Sequence, residues 1–321
     1  FYDIQEGSTV FVASAPLCGG MHGASGAVEQ GLQRMSLQHG QTMSSICLKN
    51  VPDAISKVLA LYHLQLPDGS KTVKKTAWRE LTSSDLQAVI QAVDPQTATC
   101  YCAGSVRGMF SPEDPDVALS YRWSASLGEI YDGLSNSCNQ TERVWIDILF
   151  NPQNQALTSD VVLTLTPQRY QSAPRHVLIV THTQDLVDLL RRGWIAYEVA
   201  VRMISDKPMV ELVDPSRKAS TLYKARESFI GEFFATMDTY ASQDKVLIQD
   251  AIRRIFTREN SHYEGRKPED NFNRGVLDFV LLAGGKMLVE DMSDARNHED
   301  VLAESWTLSQ TLYDKGKFVD C

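Results

Sequence analysis

The sequence predicts an α/β protein organised around a doubly wound parallel sheet, and three observations carry that prediction. Short apolar runs suited to strands recur at Val117–Tyr121, Arg143–Phe150, His176–Thr181 and Met209–Val213. Segments with helical spacing separate them, the strongest being Leu186–Ile204, which Pro208 follows. Strands that alternate with helices over about a hundred residues are expected to run parallel, with helices on both faces.

Punctuation divides the chain into three regions: 1–110, 111–215 and 216–321. The first opens with the β-rich run Thr9–Ala13, followed by the Gly-rich stretch Cys18–Gly26 and a helical pattern over Ala27–Leu37. Strand, Gly-rich turn and helix is a layout that cradles phosphates. These glycines match neither G-x-x-x-x-G-K-S/T nor G-x-G-x-x-G, so a tight loop is the simpler expectation. Val51–Tyr62 and Ser84–Val93 have helical spacing, the latter behind the cap-like Thr82-Ser83-Ser84-Asp85.

The turn-rich acidic stretch Ser111–Asp116 marks the boundary to the second region, where Leu127–Leu134 reads as a short helix between the first two strands. The third region carries no convincing strand. Amphipathic helices are expected there over Leu222–Met237, Gln243–Phe256, Phe272–Leu288 and His298–Leu312, with Thr257–Asp270 as an exposed loop.

Composition narrows the function classes. Hydrophobic residues at 43% and charged residues at 22% are globular values, which argues against wholesale disorder. A net charge of -9 argues against a non-specific nucleic-acid or anionic-membrane binder. No apolar run approaches the roughly 18–20 residues of a membrane helix. The six cysteines are too sparse for a disulfide framework, and Cys100-Tyr101-Cys102 lacks a second pair at zinc spacing. A reducing, cytoplasmic compartment and no metal or cofactor are therefore expected. The chain begins Phe1-Tyr2-Asp3 without Met and reads as a fragment or processed product.

In an open parallel sheet, ligands bind beyond the carboxyl ends of the strands, where strand order reverses. Those ends deliver Ser120, Tyr121, Arg122 and Trp123 from the first strand. The second delivers Asp147 and the loop Asn151-Pro152-Gln153-Asn154, and the third Thr181, His182 and Thr183. His182 reads either as an acid–base group or as a surface histidine. No G-x-S-x-G esterase motif is present.

Three of these segments carry a family resemblance. Ala118-Leu119-Ser120-Tyr121-Arg122-Trp123 resembles the first-strand pattern of fungal HET domains, close to ALSYxWG, and the SYR strand of TIR domains. Val144-Trp145-Ile146-Asp147 with Asn151-Pro152-Gln153 is similar to the HET pattern WIDALCINQ. Arg192-Gly193-Trp194-Ile195-Ala196-Tyr197-Glu198 resembles the TIR and HET helix that runs small residue, Trp, three residues, Glu. The chain departs from these patterns at Ile195, where Cys is usual, and at Ser124, where HET domains carry Gly. Asp244-Lys245 and Phe272-Asn273 are loosely similar to the helical tail of protist and algal TIR-like proteins.

The resemblance implies a flavodoxin-like fold for 111–215, flanked by an N-terminal α/β extension and a helical C-terminal region. It also implies cleavage of NAD, or a related nucleotide, at the nicotinamide–ribose bond, in a signalling or defence context and by a homo-oligomer. Carried over, the catalytic residue is Glu198, with Ser120, Arg122, Trp123, Asp147, Asn151 and Trp194 binding substrate. A carboxylate there suits the chemistry, because breaking an N-ribosidic bond develops positive charge on the ribose. Glu198 also reads as a solvated helix residue paired with Arg191 or Arg202, and Trp194 and Trp145 as core aromatics. The same fold then serves as a non-catalytic adaptor that self-associates through the loop at 151–155. A cleft holding Glu198, Arg122 and Trp123 favours the enzyme, and a solvent-directed Glu198 the adaptor.

Overall fold

The computed structural model describes residues 43–102, 104–151, 153, 159–181, 186–205, 210–213, 233–239, 242–257, 267–277 and 279. The expectations for Thr9–Ala13, Cys18–Gly26, Ala27–Leu37, His182 and His298–Leu312 fall outside them.

One six-stranded mixed sheet organises the fold. Its strands are β1 (Ser45–Cys47), β2 (Phe110–Ser111), β3 (Val117–Ser120), β4 (Arg143–Trp145), β5 (Arg175–Ile179) and β6 (Glu211–Val213), in the order β2-β1-β4-β3-β5-β6. The last four run parallel: Val117 pairs with Val144 on one side and Arg175 on the other, and Leu178 pairs with Leu212. β1 pairs antiparallel with β4 and β2, so residues from the first region lengthen the same sheet. Strand order reverses at β3: the chain moves to β4 on one side, then crosses back to β5 and β6.

Every residue of β3 is buried, as expected for a parallel strand covered on both faces. Alternation sorts its side chains. Ser120 and Ala118 share a face with His176 of β5, while Val177 and Ile179 point the other way. Helix α1 (Val51–Gln65) packs on α2 (Ser83–Val93). Helix α3 (Leu127–Ser137) covers the Ile179 face, where Gly133 is tight against the Ile179 side chain. The opposite face receives α5 (Ser159–Ser172) and α7 (Gly193–Met203), which pack on each other. Helix α9 (Ser242–Thr257) packs on α7 and α5 in turn.

Helix starts follow local chemistry. Thr82 and Asp85 form a reciprocal capping box at α2, and Ser126 with Glu129 forms another at α3. The two starts are joined by a bridge between Thr82 and Ser126 and by the Leu127 N–H on the Leu81 carbonyl at 2.7 Å.

β1, β2 and α5 are not expected from the sequence, and two expected elements take another form. The second strand stops at Trp145, and Asp147–Phe150 turns into a short helix, α4. Asp147 Oδ1 accepts the Ile148 N–H at 2.7 Å, and Ile148, Leu149 and Phe150 are buried in this form. An apolar run of that length suits helix or strand equally.

The long helix over Leu186–Ile204 is two helices, α6 (Leu186–Leu190) and α7, broken at Arg191-Arg192. The cause lies elsewhere in the chain. After α8 (Phe233–Thr236), Asp238 donates its N–H to the Arg191 carbonyl at 2.7 Å and accepts the Gly193 N–H at 2.8 Å. This bridge takes the backbone groups that a continuous helix would have used. A Cβ on Gly193 would lie 2.5 Å from Thr239 Cγ2 and 3.2 Å from Ile248 Cδ1, so only glycine admits the segment so closely. Gly193→Val is expected to cost ~1–3 kcal/mol by overpacking and to speed amide exchange at Gly193 and Asp238. Unchanged exchange there would refute this account of the docking.

Candidate functional site at the carboxyl end of β3

The chain leaving β3 is held by one carboxyl group. Asp147 accepts the Tyr121 hydroxyl on Oδ1 and the Trp123 indole N–H on Oδ2, both at 2.7 Å. Because Tyr121 gives its proton to Asp147, Ser83 at 2.8 Å donates to the Tyr121 oxygen. The Ser83 N–H reaches the Trp123 carbonyl at 3.1 Å. The start of α2 thus braces the segment that lies between β3 and the cavity.

Glu198 is in the second turn of α7, one turn beyond Trp194. Its Oε2 is 2.5 Å from Ser120 Oγ, and Ser120 Oγ is 2.7 Å from His176 Nε2. Ser120 and His176 are fully buried, whereas Glu198 keeps partial solvent access. Tyr170 of α5 donates to the Leu119 carbonyl at 2.8 Å, with its hydroxyl also in reach of the Glu198 carboxyl. The Tyr170 ring meets His176 edge-on at 4.6 Å and Trp145 at 5.7 Å.

Burial dominates the electrostatics. It lifts the Glu198 pKa to about 8, helped by the nearby Asp147 charge and opposed by the Ser120 and Tyr170 hydroxyls. It lowers the His176 pKa to about 3, with the Arg202 charge acting in the same direction. Burial and the Glu198 charge raise the Tyr170 pKa well above its ordinary value.

A cavity of about 470 Å³ opens over these groups, within the roughly 300–1,000 Å³ span of small-molecule sites. Arg122, Trp123, Asp147, Asn151, Trp194 and Glu198, all predicted from sequence, line it together. Ser120 is the exception among the predicted residues. It lies beneath the wall, 1% exposed, and touches Glu198 instead of the cavity. Arg202 does not serve Glu198 as the solvated-helix alternative expects. Its guanidinium binds the carbonyls of Tyr170, Ala173 and Pro174 at 2.7–2.9 Å.

No family model, curated protein or solved structure matches this chain.

Several lining residues are not among the predicted site residues, although Arg192 and Asp244 lie in segments that carry the resemblance. Tyr170 sits on a helix with almost no amphipathic pattern and an internal Pro167. Arg192, Asp238, Thr239 and Asp244 join the wall because of the backbone bridge at Asp238. Arg192 pairs with Asp238 at 3.7 Å.

The chemistry available is that of a carboxyl group beside aromatic rings. Ser120, His176 and Glu198 have the composition of a hydrolase triad in the wrong order, because the serine is central and inaccessible. Among the described residues no cluster of three or more His, Cys, Asp or Glu is placed to hold a metal ion, and no helix is long and apolar enough to cross a membrane.

The raised Glu198 pKa has a stability consequence. The group's favourable contribution is full below its unfolded value of 4.5 and is lost as pH rises through about 8. Glu198→Gln, which cannot ionise, should therefore be more stable than wild type at pH 9. The expected gain is on the order of 3 kcal/mol, shrinking toward pH 5. Parallel stability–pH curves from thermal unfolding would contradict the burial of this carboxyl.

Proposed function

We propose that the chain is a TIR-like NAD glycohydrolase in which Glu198 is the catalytic carboxylate. The observation that carries this reading is the position of Glu198. Its carboxyl group borders an aromatic-walled cavity at the carboxyl end of β3, one helical turn after Trp194 and beside Arg122 and Trp123. Numbering the parallel strands in chain order gives second-first-third-fourth. That order agrees with a flavodoxin-like arrangement, whose ligand site lies at the reversal.

The reaction follows from the groups present. The bond between the nicotinamide nitrogen and ribose C1′ breaks, and its electron pair leaves with the ring. A cationic pyridinium becomes a neutral base, so no general acid is needed. What needs support is the positive charge left on the ribose, and an ionised Glu198 supplies it. Water then adds to C1′ and releases a proton, giving ADP-ribose; attack by a ring nitrogen instead gives cyclisation or base exchange. Trp194 and Trp123 offer faces for the base, and Arg122 is suited to the diphosphate.

The adaptor alternative places self-association on the loop at 151–155. Gln153 in that loop is buried and held by Gln91 at 2.6 Å and Gln87 at 3.2 Å. That part of the loop is occupied by the chain's own α2, which favours the enzyme.

Nicotinamide release from NAD by the concentrated chain tests the proposal. Glu198→Ala is expected to lower the rate by about 10²–10³-fold or more while leaving the fold intact. Because the ionised form acts, kcat/KM should rise with pH through about 8. Absence of release at any concentration would sink the enzyme reading and leave the self-associating adaptor.

A further inference from the structure

We propose that His176 is a positioning residue for Glu198: it donates from Nε2 to Ser120 Oγ and so commits the single Ser120 proton to the Glu198 carboxylate. The inference rests on the reading of Glu198 as the working carboxylate, and it comes from counting protons in a buried chain of three groups.

Ser120 Oγ meets His176 Nε2 at 2.7 Å and Glu198 Oε2 at 2.5 Å, yet a hydroxyl has one proton. An ionised Glu198 can only accept. Ser120 must then donate to it, and the serine oxygen must accept from His176, which fixes the proton on Nε2. The opposite arrangement has Glu198 donate to Ser120 and Ser120 donate to Nε2. It forces the imidazole proton onto Nδ1, where no hydrogen-bond partner exists among the described residues. A buried orphan N–H is among the rarest defects in folded proteins. The Arg202 charge acting on the ring also disfavours added positive character there. Nδ1 as a bare lone pair is the better-tolerated state.

The consequence is directional. Two aligned hydrogen bonds polarise each other toward Glu198 and hold Oε2 in place, so Oε1 is the oxygen Ser120 leaves unengaged. Tyr170 faces Glu198 from α5 with its proton on the Leu119 carbonyl. The groups that bear on this titration are Ser120 on β3, Asp147 at the start of α4, Tyr170 on α5, His176 on β5 and Arg202 on α7.

Long-range proton–nitrogen NMR on the intact chain reads the tautomer directly. The expected result is a protonated Nε2 and an unprotonated Nδ1 for His176, unchanged from pH 5 to 9. A protonated Nδ1, or a His176 that titrates in this window, overturns the proposal. Carboxyl carbon shifts, assigned with Glu198→Gln, then follow the Glu198 midpoint in variants. It should move up most in Ser120→Ala, less in His176→Leu and hardly at all in His176→Gln, whose amide restores a donor. Equal midpoints in wild type and His176→Leu would also overturn it. If His176→Leu fails to fold, the wild-type tautomer still decides. NAD turnover enters neither readout, so failure of this inference and failure of the proposed reaction are told apart. In an active enzyme, His176→Leu should shift the pH–rate profile upward and lower kcat with little change in KM.

Discussion

A carboxyl group largely taken out of water must be compensated by its neighbours, and much of this fold is arranged around that demand at Glu198. β3 contributes Ser120, β5 contributes His176 behind it, and α5 contributes Tyr170. The placement of α5 depends in turn on Arg202, one turn beyond Glu198. Its buried guanidinium sits on the carbonyls of Tyr170, Ala173 and Pro174, where the helix ends. Those carbonyls lie at and just beyond the end of the helix, where the dipole is negative and carbonyls lack intrahelical partners, so a cation satisfies both needs. One helix therefore presents the carboxyl group and, one turn later, the cation that anchors the helix facing it. The arrangement stays short of full compensation, since Asp147 adds a like charge. The outcome is a carboxyl group that ionises near neutrality instead of near pH 4.

Glu198 and His176 strain the fold in opposite directions. Glu198, with its pKa raised, loses stabilising influence as pH climbs from its unfolded value toward about 8. His176, with its pKa depressed, contributes stability that is full above 6.5 and lost as pH falls toward about 3. A serine between them lets both remain hydrogen-bonded without a formal charge pair. An ion pair here would have fixed both groups in their charged forms. The neutral imidazole acts through hydrogen-bond direction alone.

Legibility of this site in the sequence followed the range of the interactions. β3 was readable because four consecutive small or apolar residues ending in Ser-Tyr-Arg-Trp suit a buried parallel strand that delivers polar groups at its end. Glu198 and Trp194 were readable as a pair because helical spacing alone puts them on one side. The break at Arg191-Arg192 was not, because the groups that interrupt the helix belong to Asp238, which no local pattern could indicate. Tyr170 was hidden for a different reason. Its helix has little amphipathic contrast and carries Pro167, so local propensity argued against it while tertiary contact with α7 and α9 overrode propensity. Asp147 reads equally as a cleft residue and as the cap of a turn, and it does both, though the strand expected around it is too long. Its run reads as strand until the side chain turns back on its own backbone to start α4.

The cavity itself follows from topology before it follows from any side chain. Because connections from β3 and from β4 leave on opposite sides of β3, the described residues of these connections leave the end of β3 open. An uncovered strand end gives a shallow notch, and the wall supplied by Asp238, Thr239 and Asp244 deepens it. That wall docks through main-chain bonds at Arg191 and at Gly193, the latter five residues before Glu198. The same backbone position that starts α7, and so sets the rotation of Trp194 and Glu198 about the helix axis, therefore also holds the wall. Wall position and carboxyl orientation are coupled through the short stretch Arg191–Gly193, and because Gly193 has no side chain a methyl-sized intrusion there acts on both.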